Sequence, residues 1–152
     1  MRTIQRDIVA GLVISKDNKF LFGMKDPNGG GVYADCWHTP GGGIEEDETQ
    51  LEALAREMHE EMGIDISQAK VTLLDDKGEG ESEKTLKDSG EIVKVRMKFY
   101  VYKIEFDKDA GDIQVKPGDD LEKLSWTDRS KLKNIKLTPP SVELFSRLGW
   151  LG

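Results

Sequence analysis

The sequence predicts a mixed α/β domain in which helices pack on a sheet. Three observations carry this. Val93, Val95, Met97, Phe99 and Val101 alternate with Lys94, Arg96, Lys98 and Tyr100, the alternation of a half-buried strand. Leu51, Leu54, Ala55, Met58 and Met62 recur at helical spacing, which gives one apolar helix face. Strand-like and helix-like segments then follow one another along 152 residues, a length suited to one domain, 1–152, with one core.

The elements can be justified in order. Residues 8–14 are an apolar run rich in β-branched types and read as a buried strand. Residues 19–24 look like its partner, joined through a turn at Lys16, Asp17 and Asn18. Residues 27–31 are turn formers and read as a flexible loop. Trp37, His38 and Thr39 suggest a short strand running into Pro40 and the glycines 41–43. Thr49 followed by Glu52 forms a capping box, in which each side chain satisfies an end amide of the other residue. Gly63 is a natural stop, because glycine tolerates the left-handed conformation. Residues 70–74 read as a strand, and the glycine-rich, charged stretch 75–90 as a long mobile loop. The alternating strand runs to about Phe106. A turn at Pro117 and Gly118 leads to a strand ending at Trp126. Thr138 before Pro139 and Pro140 starts a last helix, closed by Gly149.

Charge and composition narrow the function. The formal net charge is −7, with 37% hydrophobic and 34% charged residues. Long-range electrostatics therefore oppose binding to polymeric nucleic acid or an anionic membrane. A small anionic substrate remains open if local cations offset the repulsion. The single cysteine, Cys36, excludes an internal disulfide and a multi-cysteine zinc site and suits a reducing cytoplasm. No stretch approaches the roughly 20 apolar residues of a membrane helix, and the N-terminus carries no secretory pattern. The chain is expected to be a monomer or homodimer.

The chemistry concentrates on the capped helix. Glu57, Glu60 and Glu61 lie about one turn apart or adjacent and are expected on a side rotated away from the apolar stripe. Like charges three and four positions apart repel by about 0.2–0.5 kcal/mol per pair. A divalent cation would relieve that repulsion, and oxygen ligands suit magnesium, which keeps waters and bridges to substrate phosphates. Arg56 makes an i, i+4 ladder with Glu52 and Glu60. Gly41, Gly42 and Gly43 just before the helix let backbone groups approach a ligand closely. Taken singly, three glutamates are ordinary solvated surface and three glycines an ordinary turn.

Their joint spacing is another matter. Gly42, five residues, Glu48, seven residues, then Arg56, Glu57, Met58, His59, Glu60, Glu61, Met62, Gly63 and Ile64 match every fixed position of the Nudix box. The chain thus resembles the Nudix (MutT-type) hydrolases over 42–64. The resemblance implies a mixed sheet sandwiched between helices (α/β/α), with the box as loop–helix–loop. It implies hydrolysis of a phosphoanhydride in a nucleoside diphosphate linked to another group, with Mg²⁺ as cofactor and Mn²⁺ able to substitute. By resemblance Glu60 and Glu61 bind the metal, and Glu57 is either a ligand through water or the general base. A carbonyl of Gly41 or Gly42 completes the site, Arg56 orients the glutamates, and Glu48 supports the loop.

Outside the box, Asp120 is the candidate for a further acid reaching the metal, with Asp119 and Glu122 behind it; an acidic turn is the plain alternative. Arg96, with Lys94 and Lys98, could meet phosphate, against a solvated strand face. Trp37 and Tyr33 could stack on a base, against burial at a rim. His38 and His59 receive no role. The layout looks most like the family's bacterial nucleoside triphosphate pyrophosphatases, so the expected reaction is (d)NTP to (d)NMP plus pyrophosphate. A nucleotide sugar or other linked diphosphate, a triphosphate-ended RNA, and a non-catalytic nucleotide-sensing domain are the alternatives; the complete glutamate set argues against the last.

Overall fold

The computed structural model describes residues 1–25, 35–118 and 121–151. Its strands are β1 (Thr3–Ile14), β2 (Lys19–Lys25), β3 (Gly41–Gly43), β4 (Lys70–Thr85), β5 (Ile92–Glu105) and β6 (Leu121–Asp128). The helices are α1 (Gln50–Met62) and α2 (Pro139–Arg147), with short 3₁₀ segments at Ala110–Asp112 and Arg129–Asn134. The sheet order is β4-β5-β1-β2-β6, with β3 paired to β1. β1 and β5 run parallel; the other pairs are antiparallel. This is the mixed sheet expected.

Strand alternation sends β1 side chains to opposite faces. Val9 and Val13 meet Leu54, Met58 and Met62 of α1 together with Ile104. Ala10, Leu12 and Ile14 meet Leu132, Leu144 and Phe145, from the second 3₁₀ segment and α2. The sheet thus carries α1 on one face and α2 on the other. Among the described residues, no helix is long and apolar enough to cross a membrane.

Four expectations are revised, the last being the placement of the glutamates. Residues 75–85 are strand, not loop. The glutamates that looked loop-like fall opposite cations of β5: Glu79 against Lys98, Glu81 against Arg96, Glu83 against Lys94. Opposite charges across strands stabilise a pair by roughly 0.2–1 kcal/mol, and that complementarity exists only once the register is set. The register slips between Leu73 and Gly78, where Arg147 of α2 donates to the Asp75 carboxylate at 2.8 and 3.2 Å. The three glycines are a strand, whereas Trp37 and His38 make only isolated bridges to Leu137 and Gly23. Leu51 is exposed; the buried arc of α1 is Ala53, Leu54, Glu57, Met58, Glu61 and Met62.

That arc positions the acids. At about 3.6 residues per turn, Glu57 and Glu61 fall beside Leu54 on the sheet-facing side while Glu60 turns outward. Glu57 and Glu61 are accordingly only 7% and 8% exposed. The glutamates are therefore not all rotated away from the apolar stripe; two of them sit in its margin.

Candidate active site

The site is assembled where α1 crosses β3. The start of α1 is fixed by Thr49, whose hydroxyl accepts from the Glu52 amide at 3.1 Å while the Glu52 carboxylate accepts from the Thr49 amide at 3.0 Å. β3 is held flat against β1, with Gly42 opposite Val9 and Gly43 opposite Ile8. The glycines are required by close approach. A Cβ at Gly41 would strike the Val9 carbonyl, one at Gly42 would sit within 2.5–2.8 Å of the Glu57 carboxylate, and one at Gly43 would strike the Arg6 guanidinium. The Glu57 carboxylate thus lies directly on the Gly42 backbone.

Arg56 ties loop and helix together. Its Nε and Nη2 donate to the two oxygens of Glu48 at 2.7 and 2.9 Å. Nη1 donates to Glu57 at 2.9 Å and Glu60 at 3.2 Å, and Nη2 also to the Gly43 carbonyl at 3.1 Å. One planar guanidinium therefore fixes three carboxylates and the end of β3, which a lysine's single point charge could not do. Glu48 in turn accepts from the Glu45 amide at 2.9 Å. Its carboxyl is held at about 2, first by the Arg56 hydrogen bonds and then by that amide. The same partnership, led by Glu48, pushes the Arg56 guanidinium further up.

The donor set suits a hard divalent cation. Glu57 and Glu61 are carboxylates one turn apart on the buried arc, and Glu60 stands beside them toward solvent. Among the described residues no three His, Cys, Asp or Glu side chains form a preformed cage. Magnesium does not need one, because it keeps several waters and takes one or two carboxylates plus substrate phosphates.

The remaining sequence candidates separate clearly. Glu48, Arg56, Glu57, Glu60, Glu61 and the glycines 41–43 come together. Arg96 does not join them: it pairs with Glu81 at 2.9 Å and lies opposite Gln5, four residues along β1 from the Val9 that faces Gly42, or about 13 Å at strand spacing. Trp37 is half-buried and packs against the α2-side core, its amide donating to Lys136 and its carbonyl accepting from Thr138. Glu122 is exposed on β6. Asp119, Asp120 and Tyr33 lie outside the described residues.

Two features near the site were not anticipated. Arg6, just ahead of the expected first strand, lays its guanidinium on Gly43 and is exposed. Phe99 and Met97 are half-buried on β5 beside Ile8 and Arg6 of β1 and belong to neither core cluster. Distances of 3.2–3.5 Å from the Cβ positions of Gly78 and Gly80 lay the Phe99 side chain along these two glycines of β4. The alternation of β5 revealed Phe99 as one face of a strand; which face stays uncovered depends on where α2 ends.

The chain belongs to the Nudix family: the NUDIX domain pattern matches residues 5–148. Among relatives it is 41% identical over 71 residues to an 8-oxo-dGTP diphosphatase of Proteus vulgaris, covering 45% of this chain and 57% of that one. It is 33% identical over 66 residues to an RNA pyrophosphohydrolase of Hydrogenovibrio crunogenus, covering 43% and 36%. The chain thus matches about half or less of the length of these relatives. Its fold is similar to the MutT protein of Methanosarcina mazei, with TM-score 0.66, 22% identity and coverage of 98% and 96%. It is also similar to the ORF135 protein of E. coli, with TM-score 0.61, 22% identity and coverage of 98% and 91%.

Proposed function

We propose that this protein is a metal-dependent hydrolase, using Mg²⁺ or Mn²⁺, that cleaves a nucleoside triphosphate or deoxynucleoside triphosphate to the monophosphate and pyrophosphate, with residues 1–152 acting as one domain. The observation that carries the reading is that Glu57, buried on Gly42 and bonded by Arg56, and Glu61, one turn further along the same buried arc, bring two carboxylates together. Burying a carboxylate costs free energy unless it is compensated, Arg56 donates to Glu57, and carboxylate oxygens gathered in this way suit a hard divalent cation.

In this reading Glu57, Glu60 and Glu61, with a carbonyl of Gly41 or Gly42, hold the cation, and Asp120 is a further acid of the site. A divalent cation supplies charge neutralisation at the phosphates and acidifies water. Glu57, fixed on the Gly42 backbone, either shares in holding the cation or takes the proton from the attacking water. Arg56 and Glu48 keep the carboxylates and β3 in one geometry, so that positioning and preorganised charge carry the rate. Gly42 and Gly43 present the β3 backbone to the phosphates. The half-buried side chains of Phe99, Met97 and Ile8 beside Arg6, on the α2 face of the sheet, would offer the base an apolar surface, and ring stacking of this kind typically contributes about 1–3 kcal/mol per base.

A nucleoside triphosphate is favoured because the diphosphatase relative is the more similar of the two. A triphosphate-ended RNA is the second reading, favoured by the pyrophosphohydrolase relative and opposed by the charge of −7. The deciding experiment is a substrate panel of NTPs, dNTPs, 8-oxo-dGTP, nucleotide sugars and triphosphate-ended RNA, assayed with Mg²⁺ and with chelator, products identified. Release of pyrophosphate from a free nucleotide only with metal supports the proposal. Turnover in chelator, or activity confined to RNA ends, refutes it.

A further inference from the structure

The connection from β5 to β6 passes the C-terminal end of α1 and takes over its capping. A helix leaves its last four carbonyls without intrahelical donors; in α1 these belong to His59, Glu60, Glu61 and Met62. The helix meets only part of the need itself, through Gly63 at φ 66°, whose amide donates to the His59 and Met58 carbonyls. Donors for the Glu61 and Met62 carbonyls come from elsewhere. The Lys116 amide donates to the Met62 carbonyl at 2.9 Å and the Gly118 amide to the Glu61 carbonyl at 2.9 Å. The Gly118 carbonyl accepts from the amide of Leu121, the first residue of β6, at 3.0 Å, so the segment is anchored on its far side as well.

Gly118 is the residue that permits this contact. A Cβ there would stand closer than 3.0 Å to the Glu60 carbonyl oxygen, which is backbone and cannot swing aside. Gly111, in the same connection, has nothing within 4 Å of its Cβ position. The two residues whose backbone Gly118 touches, Glu60 and Glu61, are those whose carboxylates the site uses. An uncapped last turn frays, and fraying would move Glu61, and Glu60 against its 3.2 Å bond to Arg56, relative to Glu57 one turn upstream.

We infer that residues 116–118 are a positioning clasp for the Glu60 and Glu61 carboxylates, with Gly118 as its required residue; this rests on the proposed metal-binding role of α1. Gly118 touches no substrate and acts only through the helix end. Its removal should therefore weaken cation binding rather than unfold the core.

The test compares wild type, Gly118→Ala and Gly111→Ala. Mg²⁺ and Mn²⁺ binding is read by calorimetry, and amide exchange by NMR in Mg²⁺. Gly118→Ala should bind the cation at least about tenfold more weakly, the size of effect usual for residues that support metal ligands. It should also exchange its Gly63 and Ile64 amides faster. Gly111→Ala should match wild type in both. In wild type, added Mg²⁺ should slow exchange of the Lys116 and Gly118 amides, although neither residue supplies a carboxylate. Wild-type cation affinity in Gly118→Ala overturns the clasp alone. Should that variant not fold, unchanged Lys116 and Gly118 exchange on adding Mg²⁺ to wild type overturns it equally. Absence of any cation binding to wild type removes the metal-binding role of α1, and the clasp with it.

Discussion

Removing the Arg56 side chain probes the site and the fold together. Arg56→Ala deprives Glu48, Glu57 and Glu60 of a hydrogen-bonded cation and exposed Glu45 of a looser ion pair at 3.8 Å. The Glu60 bridge is an i, i+4 pair on a side chain 42% exposed, and such pairs are worth only about 0.3–0.5 kcal/mol. The Glu57 and Glu48 contacts matter more. Stripping the partner from a buried charge costs about 3–5 kcal/mol when burial is complete. The guanidinium is 23% exposed, so some water reaches the group, and about 3 kcal/mol is the figure expected. A chain of this size shifts its melting temperature by about 2–4 °C per kcal/mol, giving a fall of about 6–12 °C. Thermal melts in chelator read this directly, with urea unfolding as the independent check. A saturating divalent cation should recover part of the loss, because it binds the folded state alone. Arg56→Lys should fall between, keeping charge but losing the planar fork. If Arg56→Ala melts within about 2 °C of wild type in chelator, the clamp does not compensate Glu57 and the argument fails.

Three further predictions follow from the same geometry. Glu60→Gln removes an outward carboxylate and should leave metal-free stability within about 0.5 kcal/mol, while turnover falls by about a hundredfold as metal-held charge stabilisation is lost; wild-type turnover would take Glu60 out of the site. The Glu48 carboxyl titrates at about 2 when folded against an ordinary 4.5, so its contribution is complete above about 4.5 and is lost as pH falls through that window. Wild type should therefore lose more melting temperature than Glu48→Gln between those two values, and parallel curves would contradict the pairing. Phe99→Ala should raise KM about tenfold with kcat held, since a stacking surface binds ground and transition states alike; an unchanged KM for every nucleotide would move the base elsewhere.

What the sequence determined on its own is local. The capping box at Thr49 and the left-handed Gly63 act within one turn of backbone, so both ends of α1 were legible to the residue. The alternation from Val93 to Val101 sets a strand by its own period. The box supplied the candidate site residues because their spacing is a property of one loop and one helix. Tertiary structure decided what depends on distant partners. Glu79, Glu81 and Glu83 looked like loop until β5 brought Lys98, Arg96 and Lys94 opposite them. The same pairing engaged Arg96 with Glu81 and kept it away from the glycines. Whether a glutamate on α1 is buried depends on the sheet beneath it, so Glu57 and Glu61 parted from Glu60 only on packing. Arg6 met Gly43 through the pairing of β3 with β1, and Gly118 met Glu60 across a connection of more than fifty residues. Such contacts leave no periodicity along the chain, because each is fixed by the closure of a long loop rather than by the propensity of a short segment.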